Sequence, residues 1–147
     1  MPELRITGVD IFNAKIPMVE PFRISLGLIS ESSNLFVRIR SSAGVNGWGE
    51  ATPISQITGD TEAINAAAAT DLAKLVLGKD PLDIDGRVKD MAGFLAFNTA
   101  VRGAFDVALH DLAAQVAGLP LYSFLGGGNR QLRTVVTIGI DEPDVLA

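Results

Sequence analysis

Asn34-Leu35-Phe36-Val37-Arg38-Ile39-Arg40, then Ser41-Ser42-Ala43-Gly44, then Val45-Asn46-Gly47-Trp48-Gly49-Glu50 is the stretch on which the fold turns. Leu35, Val37 and Ile39 alternate with Arg38 and Arg40, the period-two pattern of a strand with one face in a core and the other in water. The tetrad Ser41 to Gly44 turns the chain and Val45 to Glu50 returns, so a hairpin is expected. Upstream, Leu4 to Lys15 carries β-branched Ile6, Val9 and Ile11 and is expected to run extended until Pro17 stops it. The order is strand, long loop, strand, turn, strand, which predicts a three-stranded antiparallel meander.

Beyond Pro53 and Gly59 the apolar period changes from two to three or four. Ile64, Ala68, Leu72, Leu75 and Val76 fall on one helical face, with caps expected among Thr58 to Thr61 and a stop at Gly78. A shorter helix is expected over Ile84 to Met91. The clearest helix starts near Thr99, where Val101, Ala104, Phe105, Ala108, Leu112 and Val116 recur at helical spacing, and ends at Gly118 before Pro120. Its alanines allow close approach to a neighbour. Leu121 to Leu125 reads as one further turn opened by Pro120. Gly126-Gly127-Gly128-Asn129 is then a flexible passage, Leu132 to Ile140 reads as a new β-branched strand, and Asp141-Glu142-Pro143-Asp144 as the start of a helix. A strand leading into a helix is the opening unit of a β/α architecture, and one such unit cannot bury itself. The organisation expected is α+β: a meander and helical bundle over residues 1–125, a linker over 126–131, and the start of a β/α domain over 132–147.

Composition narrows the class. The 147 residues suit one ordinary domain and are too few for a β/α barrel of about 250. With 48% apolar and 20% charged side chains, the chain is no disordered tail. Twelve basic against 17 acidic residues, a formal charge of −5, leave no surplus to neutralise phosphates, which argues against nucleic acid or an anionic membrane as partner. Cysteine is absent, which removes disulfides and thiolate chemistry and is compatible with a reducing compartment. Met1 to Arg5 has no secretory pattern, and Ala63 to Leu77 is interrupted by Asp71 and Lys74 and too short to span a bilayer. A soluble, cytoplasmic protein is expected.

No complete constellation for catalysis emerges from the residues themselves. His110, the lone histidine, stands one helical turn after Asp106; two ligands do not make a metal site, and a helix-surface hydrogen bond accounts for the pair. Asp80, Asp83 and Asp85 resemble part of a calcium loop, but the twelfth position counted from Asp83 is Phe94 where a glutamate is needed, so capping and solvation explain them better. Gly126 to Gly128 precede a strand and not a helix, which fits a hinge better than a phosphate cradle. Glu50, at a strand end after Gly47-Trp48-Gly49, has the placement of a base, yet it serves equally to hydrogen-bond the loop that follows. Lys15, Lys74, Lys79 and Lys89 are scattered over unrelated elements.

Taken in order, Pro21-Phe22-Arg23-Ile24-Ser25-Leu26-Gly27, Asn34 to Ile39, Gly47-Trp48-Gly49-Glu50-Ala51-Thr52-Pro53 and Ile57-Thr58-Gly59-Asp60 resemble the N-terminal capping domain of the enolase superfamily. The run Ala104 to Gln115, with Gly118-Leu119-Pro120-Leu121-Tyr122 and Leu125-Gly126-Gly127, is similar to its muconate lactonizing branch, and Ile57 to Asp60 points to the dipeptide epimerases, which include the L-Ala-D/L-Glu epimerases. The resemblance covers essentially the whole chain. It implies an isomerase of two domains, the cap closing over a C-terminal (β/α) barrel. In such enzymes two barrel lysines exchange the α-proton of a dipeptide, and a Mg²⁺ on barrel carboxylates stabilises the enediolate. None of those groups lies in these residues. The expectation is a truncated chain, inactive alone, holding a cap and the first barrel strand. Its expected partners are a dipeptide substrate and its own missing barrel, and homo-oligomers are allowed.

The resemblance also implies pocket residues. Loops at about Val19 to Ser30 and Thr52 to Gly59 fold over the substrate, Phe22 and Ile57 match apolar positions lining the pocket, and Thr137 matches a threonine beside the bound dipeptide. Read from the residues alone, Phe22 and Ile57 serve equally as loop anchors and Thr137 as an ordinary strand residue. Epimerases that favour a glutamyl second residue carry an arginine at the position of Gly27, and glycine cannot pair with a carboxylate. A substrate without an acidic second residue is therefore expected. Two other readings remain at this level: a cycloisomerase or o-succinylbenzoate synthase of the same branch, and a binding module of this fold without a barrel. A barrel-less module would be monodisperse, whereas a cap alone would expose the apolar surface that a barrel covers and self-associate.

Overall fold

A computed structural model of the chain describes residues 3–135, 137 and 139–141. Strands β1 (Ile6–Ile24), β2 (Gly27–Ser41) and β3 (Asn46–Ala51) form one antiparallel sheet in the order β1-β2-β3. Helices α1 (Ser55–Thr58), α2 (Glu62–Val76), α3 (Ile84–Phe94), α4 (Thr99–Val116) and α5 (Leu121–Phe124) follow. The α+β cap expected from the sequence is the fold observed.

Leu35, Val37 and Ile39 are buried, as their alternation requires, and pack with Ile6 into one core with Leu72 and Val76 of α2, Met91 of α3 and Val101, Phe105, Leu109 and Leu112 of α4. The other face of the sheet carries a second kind of contact. Phe12 stacks on Trp48 with centroids 5.8 Å apart, and the Arg38 guanidinium stands 5.6 and 5.4 Å from the two rings. Arg38 and Arg40 share the Asp10 carboxylate at 2.9 and 3.1 Å.

Helix α4 lies directly on β3, and two glycines make that possible. A Cβ at Gly47 would stand 1.9 Å from the Ala108 carbonyl oxygen, and one at Gly49 would stand 1.8 Å from that of Ala104. The small residues of Gly47-Trp48-Gly49 and of the alanine-rich helix therefore form one contact. Asp111 of α4 accepts the Trp48 N–H at 2.9 Å, and Gln115 donates to the Asn46 carbonyl at 2.7 Å. Helix side chains thus satisfy backbone groups of an edge strand that no further strand pairs.

Capping follows the expected residue types. Thr61 accepts the Ile64 N–H at the start of α2, and Asp83 accepts the Gly86 N–H at the start of α3. Asn98 precedes α4 in the left-handed conformation, φ 59, and its amide donates to buried Asp60 at 2.8 Å.

Three expectations require correction. The first strand does not stop at Pro17. Pairing lapses between Pro17↔Glu31 and Phe22↔Ile29, then resumes to Ile24↔Gly27. Proline on an edge strand removes one donor and bulges the strand without ending it. The expected long loop over Val19 to Ser30 is instead the distal half of a hairpin, turned at Ser25-Leu26, with Gly27 at φ 136. On α2, Ile64 is exposed and Asn65 is fully buried, so the inward stripe is centred one position later than the apolar pattern suggested. Finally, residues 132–135, 137, 139 and 140 form no strand among the described residues. A β-branched run needs a neighbouring strand to complete its ladder. The helix expected from Asp141 falls mainly on residues 142–147, outside the described residues.

Candidate functional site

Three segments converge at the distal half of the β1–β2 hairpin. Ile140 donates its N–H to the Arg23 carbonyl at 2.9 Å, bringing residues 139–141 against the hairpin. Gly139 lies beneath Phe22: a Cβ there would stand 3.3 Å from both the Phe22 ring and the Arg23 oxygen. Between them opens a cleft of about 550 Å³ whose lining includes Met18, Phe22, Leu28, Thr137 and Ile140, with Glu20, Arg23 and Asp141 as its charged members.

A second cleft, of about 400 Å³, lies between the hairpin and the loop after β3. Met18, Phe22, Ile29, Thr52, Pro53 and Ile54 contribute to it, and among the described residues Glu31 is its one charged lining residue. Phe22 and Met18 line both clefts. The loop is anchored from below: buried Asn34 donates to Glu50 and, at 3.1 Å, to the Thr52 hydroxyl, and accepts from Ser32 at 2.5 Å. Glu50 is thus held at the strand end by the Asn34 amide of the neighbouring strand, and not by backbone amides of the following loop as the sequence suggested.

Of the candidate pocket residues, the structure brings Phe22 and Thr137 to one cleft. Ile57 stands apart on α1, 65% exposed, next to Gln56 of the second cleft. Sequence reading missed Met18, Ile140 and the backbone bond to Arg23. Met18 lies between Pro17 and Pro21, where the strand pattern is interrupted, and the Arg23 bond joins residues far apart in the chain.

The remaining sequence candidates make local contacts. His110 Nδ1 lies 2.9 Å from the Asp106 carbonyl oxygen and 3.3 Å from its carboxylate, the helix-surface contact expected. Asp80 accepts the Leu82 N–H at 2.9 Å while Asp83 caps α3. Gly126 and Gly127 donate back to Ser123 and Tyr122, closing the turn after α5. Among the described residues no group of three or more His, Cys, Asp or Glu side chains could hold a metal ion. No helix of the described residues is long and apolar enough to cross a membrane. The clefts supply shape and apolar surface lined by a few polar and charged side chains.

Residues 6–126 match the N-terminal domain of the mandelate racemase / muconate lactonizing enzyme family. The chain is 39% identical to the D-Ala-D/L-Ala epimerase of Cytophaga hutchinsonii over 97% of its own length and 39% of that protein. It is 37% identical to the hydrophobic dipeptide epimerase of Enterococcus faecalis over 98% of its length and 41% of that protein. The crystal structure of the Cytophaga hutchinsonii dipeptide epimerase, complexed with Mg and D-Ala-L-Val, superposes with a TM-score of 0.93 at 38% identity, over 97% of this chain and 39% of that one. The chain therefore spans about two fifths of the length of these relatives.

Proposed function

Because the chain belongs to the mandelate racemase / muconate lactonizing enzyme family, we propose that it is the capping and specificity portion of a dipeptide epimerase, an isomerase that moves a proton from one face of a dipeptide α-carbon to the other. The observation that carries this reading is the meeting of Phe22, the 52–56 loop and Thr137 around two adjoining clefts. Residues 1–125 are the cap, 126–131 the connection, and 132–147 the entry into a barrel that holds the proton-transferring bases.

The chemistry explains why a cap is needed. A proton beside a carboxylate is very weakly acidic, and its removal concentrates negative charge on the substrate. Excluding water lowers the local dielectric and strengthens every group that stabilises that charge. Phe22, Met18 and Ile140 supply the apolar surface for this, and Asn34, by holding Glu50 and Thr52, fixes the loop opposite. Magnesium, bound in the Cytophaga hutchinsonii relative, supplies charge neutralisation in such a reaction. The described residues offer it no ligand set, and in this reading its ligands belong to the barrel.

The substrate's second residue is not acidic. The position where glutamate-preferring epimerases are expected to carry arginine is Gly27, at φ 136, a conformation that side chains other than glycine rarely adopt. The hairpin turn itself therefore disfavours an arginine there. The substrates named for the two relatives, D-Ala-D/L-Ala and hydrophobic dipeptides, fit this reading.

The test is α-proton exchange in D₂O by a full-length protein carrying these residues at its N-terminus. Ala-Ala or Ala-Leu is expected to exchange at least about tenfold faster than Ala-Glu; a strong preference for Ala-Glu overturns the substrate reading. Residues 1–147 with added Mg²⁺ are expected to catalyse no exchange, and inversion by this chain alone overturns the cap reading.

A further inference from the structure

The cleft between the hairpin and the 52–56 loop mixes apolar side chains with hydroxyl and amide ones, and among the described residues Glu31 is its single charged member. Building on the epimerase reading, we infer that Glu31 is a specificity-determining residue that favours a cationic over an acidic side chain on the second residue of the dipeptide.

Placement supports this first. Glu31 pairs with Pro17 in the last register position before the β1–β2 ladder lapses. Its backbone is therefore set by the ordered part of the hairpin. Met18, Phe22, Ile29 and Ile54 line the same cleft and suit the methylene stem of a lysine or arginine, whose charged head then reaches toward the rim. An acidic side chain in the same channel would meet a like charge with no compensating cation among the lining residues.

Availability supports it second. The partner of Glu31 within the chain is Lys15, at 3.2 Å, and both side chains are at least half exposed. Solvent-facing pairs of this kind are weak and exchange partners readily. Lys15 is not among the residues lining the cleft, so it neutralises Glu31 from outside. The hydrogen bond and charge of Glu31, with the field of Glu62, hold the Lys15 ammonium above the ordinary lysine range.

The experiment compares kcat/KM for Ala-Lys, Ala-Ala and Ala-Glu in the full-length epimerase, each charged substrate being expressed relative to Ala-Ala. Wild type is expected to prefer Ala-Lys to Ala-Glu. Glu31→Gln is expected to reduce that preference about tenfold, Glu31→Lys to invert it, Glu31→Asp to keep its sign, and Lys15→Met to increase it. Loss of fold or of general activity would lower all three substrates together and leave the ratio in place. Turnover with a ratio unmoved by Glu31→Gln and Glu31→Lys overturns the inference alone. Absence of turnover on every dipeptide overturns the epimerase reading and this inference with it.

Discussion

The contact of α4 on β3 and the distal half of the β1–β2 hairpin are built on opposite plans. In the first, glycine faces alanine, no Cβ could be inserted at Gly47 or Gly49, and side chains of α4 cap the edge strand. In the second, the ladder is broken by prolines and large apolar side chains such as Val19, Leu26 and Leu28 stand exposed. A domain that shapes a pocket needs both. The first fixes the position of the frame, and the second is a surface on which the segment after α5 packs and, in the proposed reading, a ligand as well. Substitutions should therefore separate cleanly into those that unfold the domain and those that change only its fit.

The largest effect is expected inside the frame. Phe105→Ala empties a fully buried site and should lower stability by about 4 kcal/mol in urea unfolding. Next, Gly49→Ala presses a methyl group onto the Ala104 carbonyl, which is backbone and cannot rotate away, and should cost about 3 kcal/mol by the same measurement. Asp111→Ala leaves the Trp48 N–H without its acceptor, for a loss of about 1 kcal/mol. Phe22→Ala, on the hairpin, should change stability by only about 0.5 kcal/mol, while, on the proposed epimerase reading, lowering kcat/KM of a full-length protein about tenfold or more. A Phe22 variant as unstable as the Phe105 variant would erase the distinction between the two regions.

A pH titration gives the smallest effect. Lys79 donates to Asp90 at 2.9 Å, Arg87 adds a bond at 3.0 Å, and together they hold its carboxyl below the ordinary 3.8. The folded state thus favours the ionised form more than the unfolded chain does. This contribution is complete above the unfolded aspartate value and drains away as the pH falls through the lowered one. Asp90→Asn should flatten the acid limb of stability below about pH 4 and leave the difference between pH 6 and 8 unchanged. The pair joins the segment before α3 to α3 itself, so it tests the frame and should not alter substrate preference.

The sequence reveals the frame much more readily than the hairpin, for physical reasons. Leu35, Val37 and Ile39 are legible because burial on one face of a sheet enforces a period of two, and Val101 to Leu112 because burial along a helix enforces 3.6. Ile64 misled because a helical stripe is wide, and a shift of one position still leaves most of its members inward, here with Asn65 buried in place of the isoleucine. The distal hairpin reads as a loop because Pro17 and Pro21 are strong local signals, whereas the pairing that overrides them, Phe22↔Ile29 through Ile24↔Gly27, involves a partner strand. The grouping of Phe22 with Thr137 is legible only through resemblance. Phe22 and Thr137 are 115 positions apart, and nothing local to either marks a shared cleft.

That separation has a kinetic consequence. The Ile140 N–H to Arg23 carbonyl bond closes a span of 117 residues (140 minus 23) with one backbone bond and a phenylalanine ring over a glycine. The chain entropy of so long a closure must be met before those contacts can repay it. Nucleation therefore belongs to α4 and the β2–β3 hairpin, whose contacts are nearer in the chain. The embrace of the hairpin by residues 139–141 is then a late event in folding and an early one to open.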